Sequence, residues 1–320
     1  LIQLHLAWKY HRKKKNVVSK PGLPDQLPKV TVQLPVYNER YVIERLIDAT
    51  AALDYPKDKL EIQVLDDSTD DSVELAQARI KYHKEKGINI LHIRRPERKG
   101  FKAGALQYGL ERANGDFIAI FDADFVPDSD FIKSLIPCFD RPEIGLVQAR
   151  WGHMNEDFSI LTKVQAFHLN HHFTTEQQGR NIGGYFMNFN GTGGMWRKET
   201  IFDAGGWEAN TLTEDLDLSY RAQLKGWQFK FVEAAEAPAE LPVVMSAVRS
   251  QQYRWMKGSA EVARKHLWKV LRSKDVSFGQ KMHSLGHLLG SSVFVLVLIL
   301  ALFSLPMIWM RQLNSSWFPD

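Results

Sequence analysis

An α/β domain built on a doubly wound, mostly parallel sheet with helices on both faces is the architecture this sequence predicts, followed by an amphipathic interfacial helix and a transmembrane helix. Three observations carry that expectation. Strand-like and helix-like patterns alternate from residue 30 to residue 149, the mark of βα units stacked into a parallel sheet. Phe117-Ile118-Ala119-Ile120-Phe121 is an apolar run that breaks into Asp122-Ala123-Asp124, as a strand buried on both faces does at the sheet's edge. Residues 288–310 carry no charge, and at about 1.5 Å per helical residue they can cross a hydrocarbon layer of about 30 Å.

The chain opens with Leu1 to Trp8, apolar and Trp-containing, and runs into Lys9, Arg12, Lys13, Lys14 and Lys15. This resembles the cytosolic exit of a membrane helix; an amphipathic surface helix or a solvated basic tail is the plainer alternative. Pro21, Gly22, Pro24 and Pro28 mark residues 16–29 as a linker. Strands are then expected at 30–34, 62–65, 88–93, 117–121 and 145–149, with helices at 41–52, 72–86, 101–113 and 131–139. Three strands end in polar residues: Pro35-Val36-Tyr37-Asn38-Glu39, Asp66-Asp67-Ser68-Thr69-Asp70-Asp71 and Asp122-Ala123-Asp124. Ligands of such sheets bind beyond the carboxyl ends of the strands, so these three endings are expected to share one edge.

Asp122 and Asp124, two residues apart, can converge on one point. Two acids there repel unless a cation lies between them, and Mg²⁺ or Mn²⁺ touching a substrate diphosphate suits the pair. An acid-rich turn is the bland reading. Helix capping explains Asp70 and Asp71. It explains Asp66 and Asp67 less well, since a carboxylate at a strand end can accept from a nucleobase N–H or a ribose hydroxyl. No Gly-x-Gly-x-x-Gly follows a strand and no Walker-type lysine loop occurs, which argues against dinucleotide and P-loop chemistry. The glycines of Asn190-Gly191-Thr192-Gly193-Gly194 read instead as a close backbone approach.

Residues 158–178 read as one long amphipathic helix lining an acceptor cleft. It carries His168, His171 and His172, which lack an evident acid partner for a metal role. Thr213 reads as an N-cap, 214–225 as a helix and Gly226 as its stop. Carboxylates at that helix start suit either the helix dipole or a general base. Gln251, Arg254 and Trp255 share a helical face offering an amide, a guanidinium suited to a diphosphate and an aromatic plane on which sugars stack. Arg264, Lys265, Lys269, Arg272, Lys274 and Lys281, interleaved with Leu267, Trp268, Val270 and Leu271, read as an interfacial helix on the cytosolic side of a lipid bilayer.

Composition bounds the rest. A net charge of +4 is too small to argue for nucleic acid. Cys138 is the only cysteine, which excludes an internal disulfide and fits a reducing setting. The sequence has no initiator Met and stops at Pro319-Asp320, so a piece of a longer protein is expected.

Asp66-Asp67, Asp122-Ala123-Asp124, Thr213-Glu214-Asp215 and Gln251-Gln252-Tyr253-Arg254-Trp255 appear in the order and spacing of the family-2 processive β-glycosyltransferases, the cellulose synthase and hyaluronan synthase relatives. The match spans about residues 30–258. Stretches such as 63–70, 102–106, 147–151 and 189–192 resemble the cellulose-synthase-like mannan and glucan synthases most. The resemblance implies a GT-A fold and a donor site of Pro35, Tyr37 and Glu39 at the nucleoside, with Asp67 or Asp66 at base and ribose. Lys102, Asp122, Gln251 and Arg254 would complete that site. It implies a metal, Mg²⁺ or Mn²⁺, on Asp122 and Asp124, and Asp215 as the base that deprotonates the acceptor hydroxyl. Trp255, Glu214, Asn190, Gly191, Thr192 and Trp151 would surround the acceptor.

The expected organisation is therefore a membrane-proximal basic segment and linker (1–28), a GT-A domain (29–245), the Gln-x-x-Arg-Trp helix with its interfacial region (246–284), a transmembrane helix (285–311) and a tail (312–320). The expected function is inverting transfer of a hexose from GDP-mannose or UDP-glucose to a growing, β-1,4-linked polysaccharide on the cytosolic face of a membrane. Several spanning helices in the intact protein and association with other synthase subunits fit the same family. A non-processive transferase to a lipid or lipid-phosphate is the first rival. A silent glycan-binding scaffold is the more distant one.

Overall fold

The computed structural model describes residues 2–13 and 22–313. The basic residues Lys14 and Lys15, the first part of the expected linker and most of the expected tail lie outside the described residues.

Strand β1 (Val30–Val36) leads into helix α2 (Ile43–Ala51), preceded in the chain by helix α1 (Ile2–Lys13). There follow β2 (Leu60–Asp66), α3 (Ser72–Glu85), β3 (Ile90–Ile93), α4 (Phe101–Leu110), β4 (Phe117–Ile120), α5 (Phe131–Leu135) and β5 (Ile144–His153). Each expected strand and helix of residues 30–149 is present, with ends shifted by a few residues. The widest difference lies in β5, which continues to His153 because β7 pairs with it along its length.

The second half departs further from expectation. The helix expected at 158–178 is α6 (Ile160–His171), a π-helical turn (His172–Gln177) and α7 (Gln178–Gly183). Two strands went unpredicted: β6 (Gly194–Arg197) and β7 (Gln228–Ala239). Between them lie α8 (Lys198–Asp203) and α9 (Glu214–Leu224). Helices α10 (Met245–Arg272), α11 (Phe278–Leu288) and α12 (Val293–Leu313) close the described chain.

The seven strands form one sheet in the order β3-β2-β1-β4-β6-β5-β7. All neighbours are parallel except β6, which runs antiparallel to both β4 and β5. Chain order reverses between β1 and β4, which lie side by side, so a crevice opens beyond their carboxyl ends. β4 is buried throughout because helices cover both faces of the sheet. One apolar cluster joins β1, β2 and α2 with Phe121, Phe125 and Phe131, and a second joins α4 with Trp196, Trp207 and Phe189.

Helix α10 is a single 28-residue helix holding both the Gln251–Trp255 face and the basic stretch. Residues Gly290–Arg311 are long and apolar enough to cross a membrane, and none of that surface is buried in the fold.

Candidate functional site

The antiparallel turn of β6 assembles the site. Because β6 runs against β4, its first residues lie at β4's carboxyl end, where Gly193 N donates to Ile120 O at 2.9 Å. This brings the 190–194 loop beside the Asp122-Ala123-Asp124 corner. Thr192 Oγ1 accepts from Asp122 N at 2.9 Å and lies 3.4 Å from Ile120 O. Gln148, fully buried on β5, accepts from Asn190 N at 3.1 Å and donates to Gly193 O at 2.8 Å. An amide inside an otherwise apolar strand was the sequence signal for that hub, and it was missed. On the far side, Glu240 N donates to Asp124 O at 3.2 Å, so the end of β7 anchors the second aspartate's backbone.

Lys102, in the first turn of α4, reaches into this corner. Its Nζ lies 2.5 Å from Asp122 Oδ1 and 3.0 Å from Gly191 O. The residue before it, Phe101, is held at φ 48°, in the left-handed region. Such strain in a non-glycine residue persists only where neighbours fix it, and Arg95 does so by donating to Phe101 O at 2.7 Å and Lys99 O at 2.6 Å. Gly191 has φ 81°. A Cβ there would stand 3.1 Å from Asp215 Oδ2 and 3.5 Å from Lys102 Nζ. The expected close backbone approach is therefore the loop passing between the lysine and the helix-start carboxylate.

Helix α9 presents Glu214 and Asp215 in its first turn. Thr213 occupies the N-cap position, but its hydroxyl makes no cap bond and is buried without a partner, unlike the expected cap. Asp215 Oδ1 instead accepts from Leu216 N at 2.8 Å. Ser219 locks the loop to the helix by donating to Asp215 O at 2.6 Å and accepting from Phe189 N at 2.9 Å.

The electrostatics of the corner are strained towards neutral acids. Burial, then the charge of Asp122, pushes Asp124 up to about 7, and Glu39 adds to it. Burial, then Glu214, pushes Asp215 up to about 7. Burial raises Glu214 as well, against the pull of Lys102 and Arg254, and Glu39 rises through burial and then Asp122 and Asp70. Burial would lower Lys102, but the charges of Asp122, Glu214 and Asp215 overturn that and raise it. Perturbed acids gathered around one cation in a strand-end crevice are a functional signature.

Among the described residues no group of three or more His, Cys, Asp or Glu side chains is arranged to hold a metal. Asp122 and Asp124 offer two carboxylates, which is the donor set of a Mg²⁺ or Mn²⁺ that takes its other ligands from phosphate and water. The raised Asp124 is a carboxyl that a divalent cation would relieve, so the pair fits such an ion.

Pro35 and Glu39 are half-buried at the end of β1. Tyr37 is 39% exposed with the Arg98 guanidinium 3.3 Å from its ring centroid. Asn38, at φ 57°, accepts from Thr69 N at 2.9 Å, tying the first two strand ends together. Asp66 turns inward, accepting from Ser68 N at 2.8 Å with its other oxygen 2.8 Å from His92 Nε2. Asp67 forms a two-point pair with Arg95, at 2.8 and 2.5 Å. Both acids of that motif are thus matched by this chain's own groups, and the Arg94–Arg98 run was the unread signal. Trp151 Nε1 lies 3.3 Å from Thr192 O, packing the indole against the loop. On α10, Gln251 and Trp255 are half-buried and Arg254 is exposed, and Arg254's charge is felt at Glu214.

One histidine expectation needs correction. His172 does have an acid partner: the π-helical turn sets Glu176 Oε2 2.9 Å from its Nδ1. Its Nε2 lies 3.4 Å from Asn190 Oδ1, which also accepts from Asn188 and Gln177.

Residues 28–258 match the family described as glycosyltransferase like family 2. The chain belongs to that family. Among curated relatives, it is 45% identical over 263 residues to a probable glucomannan 4-β-mannosyltransferase 4 of Oryza sativa subsp. japonica, covering 81% of this chain and 48% of that protein. It is 43% identical over 261 residues to glucomannan 4-β-mannosyltransferase 2 of Arabidopsis thaliana, covering 80% and 49%. The chain thus spans about half the length of these relatives. Among solved structures, a mannosyltransferase of Pyrobaculum calidifontis in complex with GDP-Man and Mn²⁺ superposes with a TM-score of 0.67 at 19% identity, over 99% of this chain and 92% of that one. TarS of S. aureus in complex with UDP-GlcNAc gives 0.59 at 16%, over 82% and 72%. The fold is of the GT-A type, as the resemblance implied.

Proposed function

We propose that this chain is the transferase region of a membrane-bound, inverting β-1,4-mannosyltransferase that moves mannose from GDP-mannose to a growing β-linked polysaccharide. The observation that carries the reading is the cluster in which Lys102 touches both Asp122 and the Gly191 carbonyl while that glycine lies against Asp215. A cation and paired acids suited to a diphosphate, close to a carboxyl suited to an acceptor hydroxyl, support the reading. The relatives' names support mannose and the 4-β linkage.

In this reading the acceptor hydroxyl attacks the anomeric carbon of the donor sugar. The bond from that carbon to the diphosphate oxygen breaks, its electron pair leaves with the diphosphate, and the hydroxyl proton passes to Asp215. A base with a pKa near 7 is well matched to that task. Lys102 and Arg254 supply positive charge to the departing diphosphate. Asp122 and Asp124 would hold Mg²⁺ or Mn²⁺, which when bound neutralises phosphate charge as a Lewis acid. Tyr37 and Glu39 would face the nucleoside, with Asp67 beside it. Trp255, Trp151 and the 190–192 backbone would line the acceptor. Membrane attachment is supported by α12, whose apolar side chains, such as Leu300 at 70% exposure and Leu305 at 71%, face outward along the helix. A patch of that size is out of place in water.

The test is incubation of membrane fractions with labelled sugar nucleotides and a β-1,4-mannooligosaccharide, followed by sizing of the products. GDP-mannose is expected to extend the acceptor by several units. Transfer from UDP-glucose alone would reassign the donor, single transfer to a lipid would favour the non-processive rival, and no transfer from any donor would overturn the reading.

A further inference from the structure

Two residues beyond Asp215, on the same helix, Asp217 is fully buried, and three nitrogen donors converge on it. Its Oδ1 lies 2.7 Å from His266 Nε2 and 2.7 Å from Lys265 Nζ, both on α10, while Oδ2 accepts from Arg221 Nε at 2.8 Å. Glu208 completes the cluster, 2.7 Å from Lys265 Nζ and 3.8 Å from Arg221 Nε. Burial would raise the Asp217 carboxyl, but the bonds from His266 and Lys265, with the charge of Arg221, overturn that and hold it far below the usual range. His266 is itself fully buried, with Nδ1 unpartnered, so its ring is held by the bond to Asp217. None of these groups touches the reacting atoms in the proposed transfer.

What the cluster does touch is the joint between two helices. Glu261 Oε2 accepts from Leu212 N at 2.8 Å, and a Cβ on Gly258 would lie 2.5 Å from Thr213 Cγ2. Residues 258–266 of α10 are therefore fixed along residues 208–217, the segment that sets Glu214 and Asp215. Gln251, Arg254 and Trp255 are earlier turns of the same unbroken helix. Arg254 stands twelve residues before His266, about 18 Å along the axis. Over that lever a tilt of about 5° moves the guanidinium about 1.5 Å, and a displacement of that order can cost about 100-fold in rate.

We propose that Asp217 is a positioning residue: with Lys265 and His266 it fixes the angle of α10 so that Arg254 meets the site around Glu214 and Asp215. The proposal rests on the reading of those residues as transfer machinery.

The test uses the full chain in detergent, with Asp217→Asn, Lys265→Met at the cluster's more exposed edge, Arg254→Ala and the double variant Asp217→Asn/Arg254→Ala. Expected is a roughly 10- to 100-fold fall in kcat for Asp217→Asn, with a much smaller change in donor affinity. The double variant should be little worse than Arg254→Ala alone, because Asp217 acts through that arginine. Multiplicative losses would overturn the proposal. If Asp217→Asn does not fold, Lys265→Met combined with Arg254→Ala carries the same cycle. If the unmodified chain transfers no sugar, the functional reading fails, and hydrogen exchange over residues 245–262 still decides the clamp. Faster exchange there in Lys265→Met supports it, and an unchanged rate overturns it.

Discussion

Replacing Glu214 by Gln should move the acid limb of the pH–rate profile without replacing the base. Between the ordinary Asp value of 3.8 and the value of about 7 reached by Asp215 lie about three pH units, set first by burial and then by the Glu214 charge. A neighbouring carboxylate charge in such a setting contributes about 1–3 kcal/mol, or about one to two pH units. Glu214→Gln should therefore lower the pH at which kcat/KM halves from about 7 by about one to two units. The sign follows from the role: the base must be ionised, so activity is lost as pH falls through its pKa, and a lower pKa preserves activity into acid. Initial rates of mannosyl transfer from about pH 5 to 9, each variant normalised to its own plateau, separate the limb's position from any loss of height through acceptor contacts. The two acids titrate as a pair, so the limb belongs to both until one is removed. An acid limb unmoved in Glu214→Gln would refute the claim that Asp215 is the titrating base beside a charged Glu214.

Four further outcomes follow from the same corner. Asp124→Ala should abolish the dependence of donor binding on Mg²⁺ or Mn²⁺, read by calorimetry with GDP-mannose. In the unmodified protein metal affinity should weaken as pH falls through about 7, because protonated Asp124 cannot serve as a ligand. Gly191→Ala combines a φ of 81° with a Cβ 3.1 Å from Asp215 Oδ2; it should cost about 1–3 kcal/mol in stability or disorder the loop, seen as a lower Tm together with a fall in kcat. Arg95→Ala should weaken nucleoside diphosphate binding, because it frees both Asp67 and the strained Phe101 turn, and unchanged affinity would count against that coupling.

The part of the sheet built from β1 to β5 was legible because periodicity reports it directly: these strands are apolar runs separated by helical patterns. The two missed strands carried weaker signals. β6 is four residues, Gly-Met-Trp-Arg, emerging from a glycine-rich loop, and β7 is rich in Ala and Glu with Pro238 near its end. Missing β6 hid the turn that brings Asn190–Thr192 to Asp122. The acids were readable because they sit at strand and helix ends, where a charged run must face a crevice. Their partners were not. That Lys102 bridges Asp122 and a carbonyl of residue 191, that Arg95 fills the grip of Asp67, and that His266 reaches Asp217 across 49 positions are products of tertiary packing. The His172–Glu176 pair is different: its i,i+4 spacing puts the two side chains on one face of any helix, so that acid was legible in the sequence and was overlooked.

The central claim is that Asp215 removes the acceptor proton during β-linked mannosyl transfer. Purified protein and its Asp215→Asn variant, given labelled GDP-mannose, Mn²⁺ and a mannooligosaccharide, provide the most direct measurement, with products digested by a β-1,4-mannanase. β-Mannanase-sensitive product is expected from the unmodified protein and a loss of at least about 100-fold in the variant, with donor affinity retained. Near-normal synthesis by Asp215→Asn, or a product that the β-mannanase leaves intact, would contradict it.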